Sequence, residues 1–168
     1  MTPPSTRLEP CGDTNHRGQD APRERVALAK SLCAARGVRF TPLRRQVLEL
    51  LWVADRPMGA YDLIERLQLR NSRPVAPPTV YRALEFLIAQ GFVAKIESCN
   101  TYAPCAHPER RYQCLFLLCD KCGAAEELED PQTEQRLAED ASNLGFRISR
   151  CVVEVQGTCS NCLTAESS

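Results

Sequence analysis

Residues 77–92 read "PPTVYRALEFLIAQGF", and they decide what the first half of the chain folds into. Pro77 and Pro78 suit the first turn of a helix, where a missing N–H costs nothing, and Gly91 suits its close. Between them Val80, Ala83, Leu84, Leu87 and Ile88 recur at helical spacing and form one apolar stripe. At ~100° per residue, Arg82 lies almost opposite that stripe, with Thr79 and Tyr81 on its flanks near the helix N-terminus. One side of this helix is fit for a core, and the start of the other side for a polar partner.

Three more helices precede it. "RERVALAKSLCAARG" (23–37) puts Val26, Ala29 and Cys33 on one face, with Gly37 able to close the helix in a left-handed turn. "FTPLRRQVLELLWVAD" (40–55) opens on Thr41 as N-cap and Pro42 as first helical residue. "AYDLIERLQ" (60–68) turns Leu63, Ile64 and Leu67 inward. Downstream, "FVAKIES" and "TYAPC" read as two short strands around a turn at Cys99 and Asn100. Helices followed by a β hairpin outline a winged helix-turn-helix, whose last helix lies in the major groove of DNA. Arg82 suits a guanine edge or a phosphate, and Tyr81 a thymine methyl or a sugar. The plainer alternative is a helical packing domain whose Arg82 faces water.

Charge divides the chain in the same place. Residues 23–97 hold 13 Lys/Arg against 7 Asp/Glu, and residues 98–168 hold 6 against 11, beneath a formal net charge of zero. A basic first half joined to an acidic second half fits a polyanion-binding module attached to something else. No apolar stretch reaches the ~18 residues a membrane span needs. The opening "MTPPSTRLEPCGDTNHRGQD" lacks a basic-then-apolar order, so it reads as a disordered tail and not as a secretory signal. The expected location is the cytoplasm.

In the second half, "YQCLFLLC" and "GAAEELE" read as strands and "PQTEQRLAEDASNLG" as a helix closed at Gly145. "FRISRCVVEVQG" (146–157) reads as a long strand. So few elements bury little core, and the domain needs a staple or a partner covering its sheet. The cysteines supply a staple. Of the ten in the chain, Cys119 and Cys122 form one CxxC pair and Cys159 and Cys162 another. Such pairs serve as redox centres, disulfides or metal ligands. A reducing compartment disfavours disulfides, and a thioredoxin-type pair starts a helix and needs no second pair. Two pairs together give four thiolates, the tetrahedral set of a structural zinc. Cys33 and Cys151 read as small core hydrophobes.

Together these stretches resemble the ferric uptake regulator family, and within it the zinc uptake regulators. The resemblance rests on "LCAARGVRFTPLRRQVLELL", "AYDLIERL", "PPTVYRALEFLIAQGFVAKIES", "NTYAPC", and "CDKCG" paired with "CSNC", in that order. It implies an α+β chain: an N-terminal winged helix-turn-helix domain, then a small α/β dimerisation domain with the four-cysteine zinc site. The expected divisions are a tail at 1–22, the DNA-binding domain at 23–98, a hinge at 99–106 and the dimerisation domain at 107–168. It implies a homodimer on a palindromic double-stranded DNA operator, with Tyr61, Thr79, Tyr81 and Arg82 as DNA contacts. It also implies zinc as cofactor: one structural ion per subunit and a second, regulatory one near the hinge that closes the dimer onto its operator. The chain holds only two histidines, and thiolate-rich, His-poor donors favour zinc over ferrous iron.

The chain departs from the family pattern at that second site. The hinge Cys matches Cys105 and the acidic position matches Glu127, but the two expected histidines fall at Ala94 and Tyr112. His107, two residues beyond Cys105, and Cys114, two beyond Tyr112 on the same strand face, offer replacements. The expected set is Cys105, His107, Cys114 and Glu127, with Cys99, Glu97 or Glu126 able to stand in for any one of them.

Two other classes compete. A zinc deaminase needs H-x-E ahead of P-C-x-x-C; His107 to Glu109 spell H-x-E, but no Pro precedes either CxxC. A zinc-ribbon subunit of a nucleic-acid machine would share the cysteine pairs but not strong, metal-switched binding to a palindrome by the isolated protein. A regulator of the same family answering another metal or a redox signal would share that binding and differ in its signal.

Overall fold

A computed structural model describes residues 21–71, 74–108 and 113–166. The tail with Cys11 and His16, and Glu109 and Tyr112, lie outside the described residues. The elements run α1 (Ala21–Ala35), α2 (Pro42–Trp52), α3 (Ala60–Arg70), α4 (Pro77–Ala89), β1 (Val93–Ile96), β2 (Thr101–Pro104), β3 (Gln113–Cys119), β4 (Ala125–Leu128), α5 (Pro131–Asn143), β5 (Cys151–Gly157) and α6 (Ser160–Glu166).

The helices start and stop where local chemistry says they must. Thr41 caps α2 by accepting from Arg44 N at 3.4 Å, ahead of Pro42. Asp62 reaches back to Gly59 N at the start of α3. α4 closes in a Schellman turn: Gly91, at φ 77°, donates to Ile88 O, and Phe92 donates to Leu87 O. Val80, Ala83, Leu84 and Leu87 are buried, as the apolar stripe requires. They pack with Val47, Leu48, Leu50 and Leu51 of α2 and Leu63, Ile64 and Leu67 of α3 in one core. β1 and β2 form the antiparallel wing, with Ile96 opposite Thr101. Asn100 takes the left-handed position in the turn, at φ 52°. Met58 bridges to Tyr102 through both backbone bonds, an isolated antiparallel bridge that joins the segment before α3 to the wing.

The second sheet has the order β4-β3-β5, with β4 antiparallel and β5 parallel to β3. α5 lies in the crossover that a parallel pair demands. Along β3 the two-residue period alternates Cys114, Phe116 and Leu118 with Leu115 and Leu117. The first set packs on the wing. Phe116 joins Ala94, Ile96, Ala103 and Cys105 in a second core, with Cys114, Leu118, Ala125 and Val152 against it. The two halves are therefore packed together. On the other face Leu117 and Val155, paired in register, remain 39% and 46% exposed.

Two elements differ from expectation. The strand expected at 146–157 begins only at Cys151. Gly145 and Phe146 are taken up by a Schellman turn closing α5, bonded to Ser142 O and Ala141 O. α1 spans Ala21–Ala35 and β2 Thr101–Pro104, so the expected division at 23 falls in the first turn of α1 and the expected hinge at 99–106 includes β2. The last CxxC sits at the start of a helix, α6, that the sequence reading lacked.

Candidate metal centres and nucleic-acid face

The first CxxC lies where β3 ends and the chain turns back into β4. Cys119 closes β3, and Gly123, at φ 69°, donates to Cys119 O to reverse the chain. The second CxxC follows β5, which runs parallel to β3, so both strands deliver cysteines to the same end of the sheet. Cys119, Cys122, Cys159 and Cys162 present sulfurs that all lie within 4.8 Å of one another. Cys122 Sγ stands 3.7 Å from Cys159 Sγ, and Cys159 N–H points at Cys119 Sγ at 3.3 Å. The N–H of Cys122, then that of Cys159, pull the Cys119 thiol down to about 6, against the effect of burial. Cys162 is pushed up to about 12 by its hydrogen bond to Cys159, by burial and by the neighbouring thiols. Four thiolates in so small a space repel one another, and a divalent cation cancels that repulsion. The donor set fits a structural zinc, closed on all four sides.

A second group lies at the junction of the halves. Cys105, Cys114 and Glu127 bring ligand atoms within 4.8 Å of one another. Cys105 comes directly after β2; Cys114 is on β3; Glu127, on β4, pairs in register with Phe116 and so shares the face of Cys114. Cys105 Sγ and Cys114 Sγ are 2.9 Å apart, and Glu127 accepts Ala106 N–H at 2.7 Å. The hydrogen bond to Cys114, then burial, push the Cys105 thiol well up. Burial pushes Glu127 up, with Ala106 N–H and His107 working against it.

Of the four expected regulatory ligands, the structure brings these three together. His107 stands outside the group, its Nε2 2.5 Å from Glu129. Ala94, where the resemblance expects a histidine, is 2% exposed in the same small core as Cys105. A methyl group thus stands at the position where the resemblance expects an imidazole donor. Thr79, Tyr81, Arg82 and Tyr61 are all exposed, on α4 and α3.

Residues the sequence reading passed over hold the halves in place. Glu154 on β5 accepts from Glu97 N and Ser98 N at the tip of the wing. Arg25 donates to Ala106 O and Arg36 to Pro108 O, tying α1 to the chain beyond β2. A lone acid in the apolar run "CVVEVQG" was the one available signal for Glu154. Nothing set Arg25 and Arg36 apart from other solvated helix charges.

A sequence profile described as the ferric uptake regulator family matches residues 35–156. The chain belongs to the ferric uptake regulator family. The family is one of transcriptional regulators, not enzymes. The zinc uptake regulation protein of Escherichia coli (strain K12) is 40% identical over 147 residues, 86% of this chain and 85% of that one. Among solved structures, a zinc uptake regulator complexed with zinc and DNA superposes with a TM-score of 0.79 at 38% identity, covering 88% of this chain and 98% of that one. Holo XcZur gives 0.73 at 42% identity (83% and 96% covered), and apo XcZur 0.51 at 40% (86% and 99%).

Proposed function

We propose that this family member is a zinc-responsive transcriptional repressor. As a zinc-loaded homodimer it binds palindromic operators of zinc-uptake and zinc-homeostasis genes. The observation that carries the reading is the second donor group: Cys105 next to the wing, and Cys114 and Glu127 on the sheet, converge from both halves of the chain. Zinc bound there supplies a crosslink and the positive charge that two thiolates and a carboxylate require. His107, in the same segment as Cys105, is the fourth donor on leaving Glu129.

The chain's own residues then set the geometry. Drawing Cys105 onto the sheet fixes the wing, and the wing carries α4 through the shared core. In a homodimer this fixes two copies of Thr79, Tyr81 and Arg82 at one spacing, which successive major grooves match. A metal shifts the population only by binding the DNA-competent arrangement more tightly, and DNA must then raise metal affinity by the same factor. The closer likeness to holo than to apo XcZur, at nearly equal identity, supports reading the arrangement of the halves here as the loaded one. The exposed Leu117 and Val155 support dimerisation through the small sheet. In this reading the chain divides into a DNA-binding unit through the wing, a connection that begins at Cys105, and a dimerisation unit that holds β3 to α6. Among the described residues no helix is long and apolar enough to cross a membrane, and a DNA-binding regulator of this family works in the cytoplasm.

Zinc per chain, measured before and after mild chelation alongside binding to palindromic duplexes enriched from a random pool, tests the proposal. Two zincs falling to one, with DNA binding lost and then restored by zinc, is the expected result. One zinc throughout and metal-indifferent DNA binding would overturn it.

A further inference from the structure

The two cysteine groups differ in one distance. Two thiolates on one tetrahedral zinc, each at ~2.3 Å, stand about 3.8 Å apart. Cys122 and Cys159 match that separation at 3.7 Å. Cys105 and Cys114, at 2.9 Å, do not. They are closer than co-ligands of one ion, and less than ~1 Å from the 2.05 Å of a disulfide bond. The two belong to different elements, eight residues of chain lying between them, and both pack in the small core that joins wing to sheet. Cys105 is 4% exposed and Cys114 half-buried, so Cys114 is the more accessible residue of the pair.

We propose that Cys105 and Cys114 are a modification site: a peroxide converts them to a reversible disulfide that withdraws two donors from the regulatory site. The inference rests on that site being the zinc sensor. The sulfur of Cys114, the more accessible residue, attacks one peroxide oxygen, breaking the O–O bond; it becomes a sulfenic acid and water leaves. Cys105 sulfur then attacks the Cys114 sulfur. The S–S bond forms, the S–O bond breaks, and the hydroxyl departs with the Cys105 proton as a second water. Two thiols are oxidised by two electrons and one peroxide is reduced to two waters. A dithiol reverses the step by exchange. The four-cysteine group responds differently, because its sulfurs are committed to a closed zinc site. Metal and peroxide thus compete for the same two sulfurs: zinc protects them, and oxidation leaves Glu127 and His107 too few partners to retain it.

The test uses the full chain stripped of only its chelatable zinc, treated with hydrogen peroxide and digested under conditions that prevent thiol exchange. Exposed Cys99 serves as the control that oxidant has reached the protein. The expected result is a Cys105–Cys114 linked peptide about 2 Da lighter than the sum of its parts. With it go loss of the capacity to rebind a second zinc equivalent, recovery of both thiols and of that capacity with dithiothreitol, and protection when zinc is added first. The Cys114→Ser variant should yield no linked peptide while keeping its structural zinc. Two zincs per chain in the reduced protein, oxidised Cys99 and no such peptide would overturn the switch alone; so would links formed only among Cys119, Cys122, Cys159 and Cys162. One zinc per chain in the reduced protein would overturn the sensor reading, and the switch with it.

Discussion

Glu154 Oε1 accepts the backbone N–H of Glu97 at 2.7 Å, across 57 residues of sequence. Its other oxygen takes Ser98 N–H at 3.2 Å. One carboxylate of the β4-β3-β5 sheet therefore caps the turn of the wing, and Phe116, its neighbour on β3, packs beneath the wing in the same register. Burial opposes the charge, but the hydrogen bonds from Ser98 and Glu97 outweigh it and hold Glu154 below the usual carboxylate value of 4.5. A depressed folded-state value means the contact contributes fully above that usual value and is lost as pH falls through the lower one. Glu154→Ala should loosen the wing and speed hydrogen exchange at Glu97 and Ser98, leaving two zincs per chain and weakening DNA binding several-fold. Unchanged exchange at those amides would refute the latch.

Arg82 is exposed on the first turns of α4, and the core-facing residues Val80 and Ala83 on either side of it are buried. Its loss should leave the fold and the zinc content intact. A bidentate base contact is worth about 1–3 kcal/mol, so Arg82→Ala should weaken operator binding by roughly 5- to 150-fold. An unaltered operator affinity would remove Arg82, and with it the assignment of α4, from the DNA interface.

How far the sequence could be read depended on the range of each signal. Caps are local: Thr41 with Pro42, Pro77 with Pro78, and Gly91 fixed the helices within a turn of where they stand. The zinc knuckle was equally plain, because CxxC carries its own geometry and four thiolates leave few chemical choices. What needed a partner far along the chain was not legible. Residues 147–150 continue the run that ends in "CVVEVQG", but strand length is set by pairing, and among the described residues the β3–β5 ladder begins with Gln113 opposite Cys151. α6 is a seven-residue helix attached to the knuckle, too short to announce itself by periodicity. The orientation of His107 depends on Glu129, 22 residues on, and no spacing rule reaches that pair.

Loss of a cysteine from the knuckle should be felt in the fold before it is felt in regulation. α5 buries none of its residues, and Phe146 and Leu144 after it are 67% and 84% exposed, so the domain's own core is thin. Structural zinc in small domains contributes on the order of 10 kcal/mol of folding free energy. Cys119→Ser should give a monomeric or misfolded second half, seen as lost protease resistance beyond Cys105 with the winged-helix unit still intact. A folded dimer that lacks this zinc would contradict a structural role.

The regulatory ligands should rank by how the chain already holds them. Cys105 and Cys114 stand inside the donor group, while His107 must give up Glu129 to enter it. Cys114→Ser should therefore abolish the second zinc, leaving one per chain and DNA binding deaf to added metal. His107→Ala should cost less, about tenfold to a hundredfold in zinc affinity, comparable to removing a supporting group of a metal site. Glu129→Gln separates the remaining possibilities. Weakening the hold on His107 should raise zinc affinity if the imidazole joins the site, whereas a ligand set of Cys105, Cys114 and Glu127 alone would leave it unchanged. Competition titration against a chromophoric chelator reads all three variants, and equal affinities for wild type and His107→Ala would strike His107 from the set.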